Sequence, residues 1–269
     1  MKAIVVHRYG GPEVLQLEDV PIPQAGPGQL LVRVCAAGVG PWDALIRTGS
    51  SGLPQKLPLT PGSDIAGIVE STGEEIYGVT NPSFTGGYAQ YALASIDSVA
   101  SKPASLSFVE AASVPVVAVT AWQMLFDRAK VEKGQTVLVQ GAAGNVGAYA
   151  VQLARWAGAR VIAVAAASDS TYLHTLGAEK EIDFRTQRFE DEVSGVDAVI
   201  DTVGGETQTC SFSVLRRGGV LVSSVSPPSQ ELAERYGVHV EYFIVAVPRA
   251  QLERIAQLFD EGKLKTDVG

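Results

Sequence analysis

Residues 141–147 read Gly-Ala-Ala-Gly-Asn-Val-Gly, and the residues on either side leave few folds open. Thr136–Gln140 before them is a short apolar run of strand type. After them Val146, Ala150, Leu153, Ala154 and Ala157 recur at helical spacing, until Gly158 supplies a stop. Arg160–Ala165 is the next strand. A strand, a glycine turn, a helix and a second strand make one unit of a parallel sheet whose faces are covered by helices. Tyr172, Leu173 and Leu176 mark a short helix closed by Gly177. Glu181–Phe184, Val196–Ile200, Val220–Val225 and Val238–Val245 read as further strands, and Leu252, Ile255, Ala256 and Phe259 line one face of a last helix. The expected second half is therefore an α/β, doubly wound parallel sheet of the Rossmann type.

The chemistry that such a turn serves is phosphate binding. A dinucleotide needs its pyrophosphate against backbone N–H groups at a helix N-terminus, where the partial positive charge lies. The first glycine permits the turn, the second lets phosphate approach, and the third lets helix and strand pack closely. Here the spacing is G-x-x-G-x-x-G, a variant that keeps this logic. Gly141, Ala143, Gly144, Asn145, Val146 and Gly147 are the expected cradle, and a tight turn that holds nothing is the alternative. An NAD site carries Asp or Glu about 20 residues further on to hold the ribose 2′-hydroxyl. Val161–Ala167 contains no acid, so a 2′-phosphate is not repelled there, and Ser168, Ser170 and Thr171 can hydrogen-bond one. Asp169 argues the other way, and Arg185, after the next strand, substitutes for the arginine that the loop lacks. NADPH is the expected cofactor. Asp201-Thr-Val-Gly-Gly205 and Ser223-Ser-Val225 fall at strand ends, where open α/β sheets bind ligands. Val203, Gly204, Ser224, Val225, Phe243 and Val245 join the expected cofactor residues, although Gly204 and Gly205 can equally do no more than shape a turn.

The first half has another rhythm. Eleven of the 14 prolines precede residue 136, so loops and short strands should dominate there. Leu30–Val34 and Ile65–Val69 sit between Pro/Gly clusters as strands do. Ser107-Phe-Val-Glu110 has the form of a capping box, opening a helix that Pro115 should kink or divide.

Several classes of function are excluded. Lys+Arg 21 against Asp+Glu 29 gives a net charge of −8, which argues against nucleic acid or anionic membrane as partner. The run Ala111–Phe126, interrupted by Pro115, falls short of the roughly 20 residues that a membrane span needs. Ala3–Val6 is shorter than a signal-peptide core. Cys35 and Cys210 lie far apart, so no disulfide framework is indicated, and a cytoplasmic protein is the expectation. Cys35 reads as a small core residue. His7, His174 and His239 show no ligand spacing with either cysteine, so no metal is expected, and no G-x-S-x-G elbow appears.

Together these residues resemble the medium-chain dehydrogenase/reductase superfamily in its zinc-independent quinone-oxidoreductase branch. The resemblance is carried by Met1–Val6, Ala36-Ala-Gly-Val-Gly-Pro-Trp-Asp43, Pro61-Gly-Ser-Asp-Ile-Ala-Gly67, Thr120-Ala-Trp122, Gln140–Gly147, Leu176-Gly-Ala178 and Asp201–Gly205. It implies a GroES-like β-barrel domain over 1–118, a Rossmann domain over 119–262, a segment from 263–269 that begins a return to the first domain, and an active site in the cleft between domains. It implies hydride transfer from NADPH to a quinone or an α,β-unsaturated carbonyl. A non-catalytic NADPH-binding protein and an enoyl-thioester reductase are the alternatives. Thr120 then lies near the nicotinamide and Asp43 faces the cleft, unless Asp43 only caps the helix that follows. Zinc relatives carry a cysteine near Gly40 and a histidine at Ser63, which explains the missing ligands. Quinone reductases often carry asparagine at Gly40 and tyrosines shortly downstream. Their absence here leaves solvent as the proton source, with Tyr77 and Tyr88 as weaker candidates. A homodimer through the sheet edge near Val238–Val245 also follows from the resemblance. Relatives are longer between Ser71 and Gly73 and continue past Gly269. Either this chain is shortened, or those segments lie outside the sequence.

Overall fold

The computed structural model describes residues 1–53 and 55–268, and the chain divides into two compact units. Gly269, the last residue of the expected 263–269 segment, lies outside the described residues. The first unit takes in residues 1–119 and 246–268, and the second takes in residues 120–245.

The first unit opens with an antiparallel pair, β1 (Lys2–Val5) and β2 (Gln16–Asp19). Its main sheet contains β3 (Gln29–Ala37), β4 (Asp64–Val69), β5 (Glu75–Val79), β6 (Tyr91–Ser95) and β7 (Val99–Ser101), in the antiparallel order β6-β3-β4-β5-β7. Val32, Ile65, Val69, Ile76, Ala92, Ala94 and Val99 form a core on one face, as alternation along half-buried strands requires. The register slips between Val34 and Ala36 opposite β4, so Cys35 is the extra residue of a β-bulge. The structure corrects its reading as a core residue, because Val32 and Val34 face the core and alternation puts Cys35 beside Arg33 on the exposed side. β4 and β5 are joined tightly. Val69 N–H donates to Glu74 O (2.9 Å), and Gly73, at φ +76°, donates to Val69 O (2.8 Å). The short 71–73 region thus closes as a hairpin.

Helix α1 (Pro41–Thr48) follows β3, and α2 (Phe108–Ala112) starts at the capping box, with Glu110 N–H donating to Ser107 Oγ (3.3 Å) and Ser107 N–H to Glu110 Oε2 (2.8 Å). Pro115 begins a separate helix, α3 (Pro115–Trp122), so the proline divides the helical stretch. The chain passes from the first unit to the second within α3, at Val119–Thr120.

The second unit is the expected doubly wound sheet. Its strands are β8 (Thr136–Gln140), β9 (Arg160–Ala165), β10 (Lys180–Asp183), β11 (Val196–Asp201), β12 (Leu215–Ser223) and β13 (His239–Tyr242), all parallel, in the order β10-β9-β8-β11-β12-β13. Helices α4 (Asn145–Trp156), α5 (Ser170–Leu176), α6 (Phe189–Glu192), α7 (Gly205–Ser211) and α8 (Gln230–Tyr236) connect them. Val137, Leu138 and Val139 of central β8 are fully buried, as a strand covered on both faces must be. Strand order reverses direction between β8 and β11. Ligands of such sheets bind at that switch point, beyond the carboxyl ends of the strands.

The last helix, α9 (Arg249–Asp260), belongs to the first unit. Tyr77 O–H donates to Leu252 O (2.6 Å), and Ser105 N–H donates to Asp260 Oδ1 (2.9 Å). The return to the first unit therefore begins at Ala246 rather than at 263, because Leu252, Ile255, Leu258 and Phe259 bury their apolar face there.

Candidate active site

At the end of β8 the chain turns through Gly141, whose φ of +67° costs glycine nothing. A Cβ there would lie 2.6 Å from Thr202 Oγ1 and 3.0 Å from a Val203 methyl, so the loops after β8 and β11 rest on each other. A Cβ on Gly147 would come within 2.2 Å of Gly141 O, which makes this a contact that only glycine permits. Gly144 is the N-cap of α4, and no side chain caps that end of the helix. Gly144 and Asn145 are exposed, and Ala143 and Val146 are half-buried. A 12-residue helix thus presents its positive end to solvent at the switch point, in an arrangement that fits a dinucleotide pyrophosphate.

The loop after β11 is organised from beneath. The buried Asp201 carboxylate accepts from Val203 N–H (3.0 Å), Gly204 N–H (2.8 Å) and Gln208 Nε2 (2.9 Å). Ser223 Oγ does the same for the next loop, accepting from Val225 N–H (3.1 Å) and Ser226 N–H (3.3 Å). A Cβ on Gly204 would meet a Val225 methyl at 3.0 Å. Gly141, Val203, Gly204 and Val225 are thereby drawn into one rim, and half-buried Ser224 donates its N–H to Asp201 O (3.3 Å). Phe243 follows Tyr242, the partner of Ser223 in the sheet, so it reaches the same edge. It is buried, with the Arg128 guanidinium 5.1 Å above its ring, and Val245 is half-buried. Sequence reasoning missed Asp201, Gln208 and Ser223 as organisers. The first could have been found as the acid that opens the Asp201–Gly205 run.

Ser168 and Arg185 sit on exposed loops after β9 and β10. Asp183 ties those loops together. Its carboxylate accepts from Thr186 Oγ1 (2.8 Å), Arg185 N–H (3.2 Å) and Ala167 N–H (3.3 Å). The Thr186 hydroxyl and then these backbone groups hold it below the usual carboxylate range. The Arg185 guanidinium lies 5.7 Å from the Phe184 ring, and Ser168 Oγ donates to Asp169 Oδ1 (3.4 Å).

In the first unit a second set of polar groups is buried around the start of α1. Asp43 Oδ2 accepts from Gly40 N–H (2.8 Å), which caps the helix, and also from the Tyr88 hydroxyl (2.8 Å). Nearby Trp42 Nε1 donates to Ser63 Oγ (3.0 Å), and the Ser63 hydroxyl donates to Asp64 Oδ2 (2.5 Å). Val116 N–H fills Asp64 Oδ1 (2.8 Å). Burial pushes the Asp43 carboxyl up. Burial also lifts fully enclosed Asp64 to about 7, with the charge of Asp43 adding to the effect. The Tyr88 phenol rises as well, through burial and then through Asp43. Tyr77, by contrast, is fully buried and donates to Leu252 O, so it serves packing. Thr120 is buried in α3.

Residues 26–104 match the family described as the alcohol dehydrogenase GroES-like domain, and residues 176–269 match a zinc-binding dehydrogenase family. Residues 105–199 match the glutamate/leucine/phenylalanine/valine dehydrogenase family. Mouse quinone oxidoreductase is 36% identical over 241 residues, which is 82% of this chain and 72% of that protein. The chain belongs to the quinone-oxidoreductase branch of the medium-chain dehydrogenase/reductase superfamily. Within that superfamily, the quinone oxidoreductase of Coxiella burnetii superposes with a TM-score of 0.92 at 33% identity, covering 100% of this chain and 90% of that one. The Thermus thermophilus quinone oxidoreductase, solved also with NADPH, gives a TM-score of 0.81 at 33% identity, covering 100% and 88%. A member of this superfamily is an oxidoreductase that works with a nicotinamide cofactor, and the glycine loop and its rim fit one. Zinc, which the name of one matching family implies, is not fitted. Among the described residues no group of three or more His, Cys, Asp or Glu is placed to hold a metal ion. Ser63 instead spends its hydroxyl on Asp64. Among the described residues no helix is long and apolar enough to cross a membrane.

Proposed function

We propose that this oxidoreductase uses NADPH to reduce a quinone or an α,β-unsaturated carbonyl without a metal. The observation that carries the proposal is the uncapped N-terminus of α4 at the switch point, with Gly141 and Gly147 packed too closely for any side chain. When bound, NADPH supplies the hydride. Gly141, Ala143, Gly144, Asn145, Val146 and Gly147 hold the pyrophosphate, and Val203, Gly204, Ser224, Val225, Phe243 and Val245 line the nicotinamide side. Thr120 stands near the nicotinamide, as in the family pattern. Ser168 and Arg185 receive the 2′-phosphate.

On the acceptor side, Asp43 is a positioning residue. It fixes the start of α1 and directs the Tyr88 hydroxyl hydrogen inward. The raised phenol and its committed hydrogen make Tyr88 a poor acid, so the proton that accompanies reduction comes from solvent. The reading extends to a cytoplasmic homodimer that contacts neither nucleic acid nor membrane. Free thiols at Cys35 and Cys210 suit a reducing compartment, and edge strand β13, with Tyr242 and Ile244 exposed, offers the pairing surface. Light scattering of the purified protein checks the dimer.

The functional test is NADPH oxidation by purified protein across a panel of quinones and enones. Turnover of at least one member supports the proposal, and tight NADPH binding with no turnover anywhere leaves a non-catalytic binding protein. For the cofactor, paired titrations should show tighter binding of NADPH than NADH. Arg185→Ala should erase most of that preference, and an unchanged ratio would remove Arg185 from the phosphate site.

A further inference from the structure

Gly40 stands at φ −120° and ψ 161°, ordinary extended backbone that any residue adopts. As an N-cap it is a middling choice, since serine, asparagine or aspartate would add a side-chain acceptor. Neither the backbone nor the cap explains the glycine. The neighbouring indole does, because a Cβ on Gly40 would lie 2.2 to 2.4 Å from three ring carbons of Trp42. The ring lies flat on the Gly40 backbone. It is pinned at its edge as well, where Nε1 donates to Ser63 Oγ (3.0 Å), itself fully buried and bonded to Asp64. The single polar atom of the side chain is therefore turned inward and used. Trp42 is nevertheless only half-buried, and its one polar side-chain atom is already used. Leu45, one turn further along the same helix face, is 48% exposed, and Val39, just before the cap, is 80% exposed. The residue between this strip and the helix core is Asp43, with Tyr88 bonded to it.

We infer that Trp42 is a specificity-determining residue of the acceptor site, a fixed aromatic wall that takes a flat, electron-poor ring by stacking. The inference rests on the proposed quinone or enone reduction and narrows it toward cyclic, planar acceptors. An indole face is electron-rich and a quinone ring electron-poor, so the two stack in an offset geometry. A wall with no free donor gives little to an acyclic enone, which has no ring to lay on it. Rigidity matters as much as chemistry. The ring is held at two points before any acceptor arrives, so little rotamer entropy is lost on binding.

Two experiments test this. In steady state with NADPH, Trp42→Leu should lower kcat/KM for a naphthoquinone roughly two- to tenfold, the range of a lost aromatic stack. An acyclic enone should change by less than about twofold over the same substitution. Gly40→Ala displaces the ring, so it should reproduce the selectivity change alone and add nothing to Trp42→Leu. An equal loss for every acceptor, a silent Gly40→Ala, or additive effects would overturn the inference. The second experiment needs no turnover and covers a leucine variant that fails to fold. With NADP+ bound, a naphthoquinone should quench tryptophan fluorescence saturably, and Trp42→Phe should abolish most of that quenching. Quenching that persists in Trp42→Phe arises at Trp122 or Trp156 and would refute the wall. A wild type that quenches through Trp42 yet reduces no acceptor would defeat the functional reading and leave the stacking site standing.

Discussion

Asp43 carries two duties with one oxygen. Its Oδ2 accepts both the Gly40 N–H that starts α1 and the Tyr88 hydroxyl from a loop 45 residues away. Helix capping and a place in the site are the two readings that the sequence left open; the structure shows the cap, and its place in the site belongs to the proposed function. Tyr88→Phe removes one donor from a buried carboxylate and should cost roughly 1–3 kcal/mol of stability in urea unfolding at pH 8. The cost should shrink as the pH is lowered from 8, because the Asp43 pKa is raised and a neutral carboxyl depends less on its donors. A loss that does not change with pH would mean that the phenol serves packing alone. The capping half of this arrangement was legible in Gly40-Pro-Trp-Asp43. The Tyr88 half was not, because nothing local in the chain ties residue 43 to residue 88. Trp42 was hidden for a related reason. A glycine before a helix reads as a cap, and only three-dimensional packing shows that it makes room for a ring.

At the scale of elements, the strand–turn–helix around Gly141 was the most readable part of the chain, since each of its glycines has a local reason. Gly147→Ala places a methyl 2.2 Å from Gly141 O, far inside non-bonded contact, and the turn must open to admit it. The expected outcome is a loss of NADPH affinity of more than about tenfold, with a lowered Tm. Gly144→Ala meets Gly141 O only at 3.2 Å and should lose far less, and calorimetric titration of both variants checks the order. Equal effects would show that the loop tolerates what its packing forbids. Pro115 was equally legible, because proline cannot continue a helix at its own N–H, and α2 and α3 are separate. Cys35 was misread on its apolar character alone, since alternation with inward Val32 and Val34 already puts it on the outer face with Arg33.

For the whole molecule, the division into an antiparallel unit and a doubly wound unit was visible in where the prolines stop and where strands begin to alternate with helices. The destination of the last helix was not visible. The amphipathic pattern of α9 says that one face is buried but not against which unit, and the Tyr77–Leu252 and Ser105–Asp260 bonds decide it. Global stability should also carry the mark of Asp64. Its folded pKa of about 7 lies above the unfolded value near 4, so the folded chain binds this proton more tightly. Its contribution is present below about pH 4 and is lost as pH rises through 7. Asp64→Asn should therefore flatten the decline of stability between pH 5 and pH 8, measured by urea midpoints. A slope identical to wild type would mean that Asp64 stays ionised throughout.

In the proposed function, hydride passes from a nicotinamide to a carbon or quinone acceptor without a metal. NADPH deuterated at the transferring C4 position, used with chelator-treated protein, tests this step. A primary isotope effect on quinone reduction and one deuterium at carbon in the product of an enone are expected. Bound cofactor with no isotope effect and no transferred label, or activity that disappears with the chelator, would contradict it.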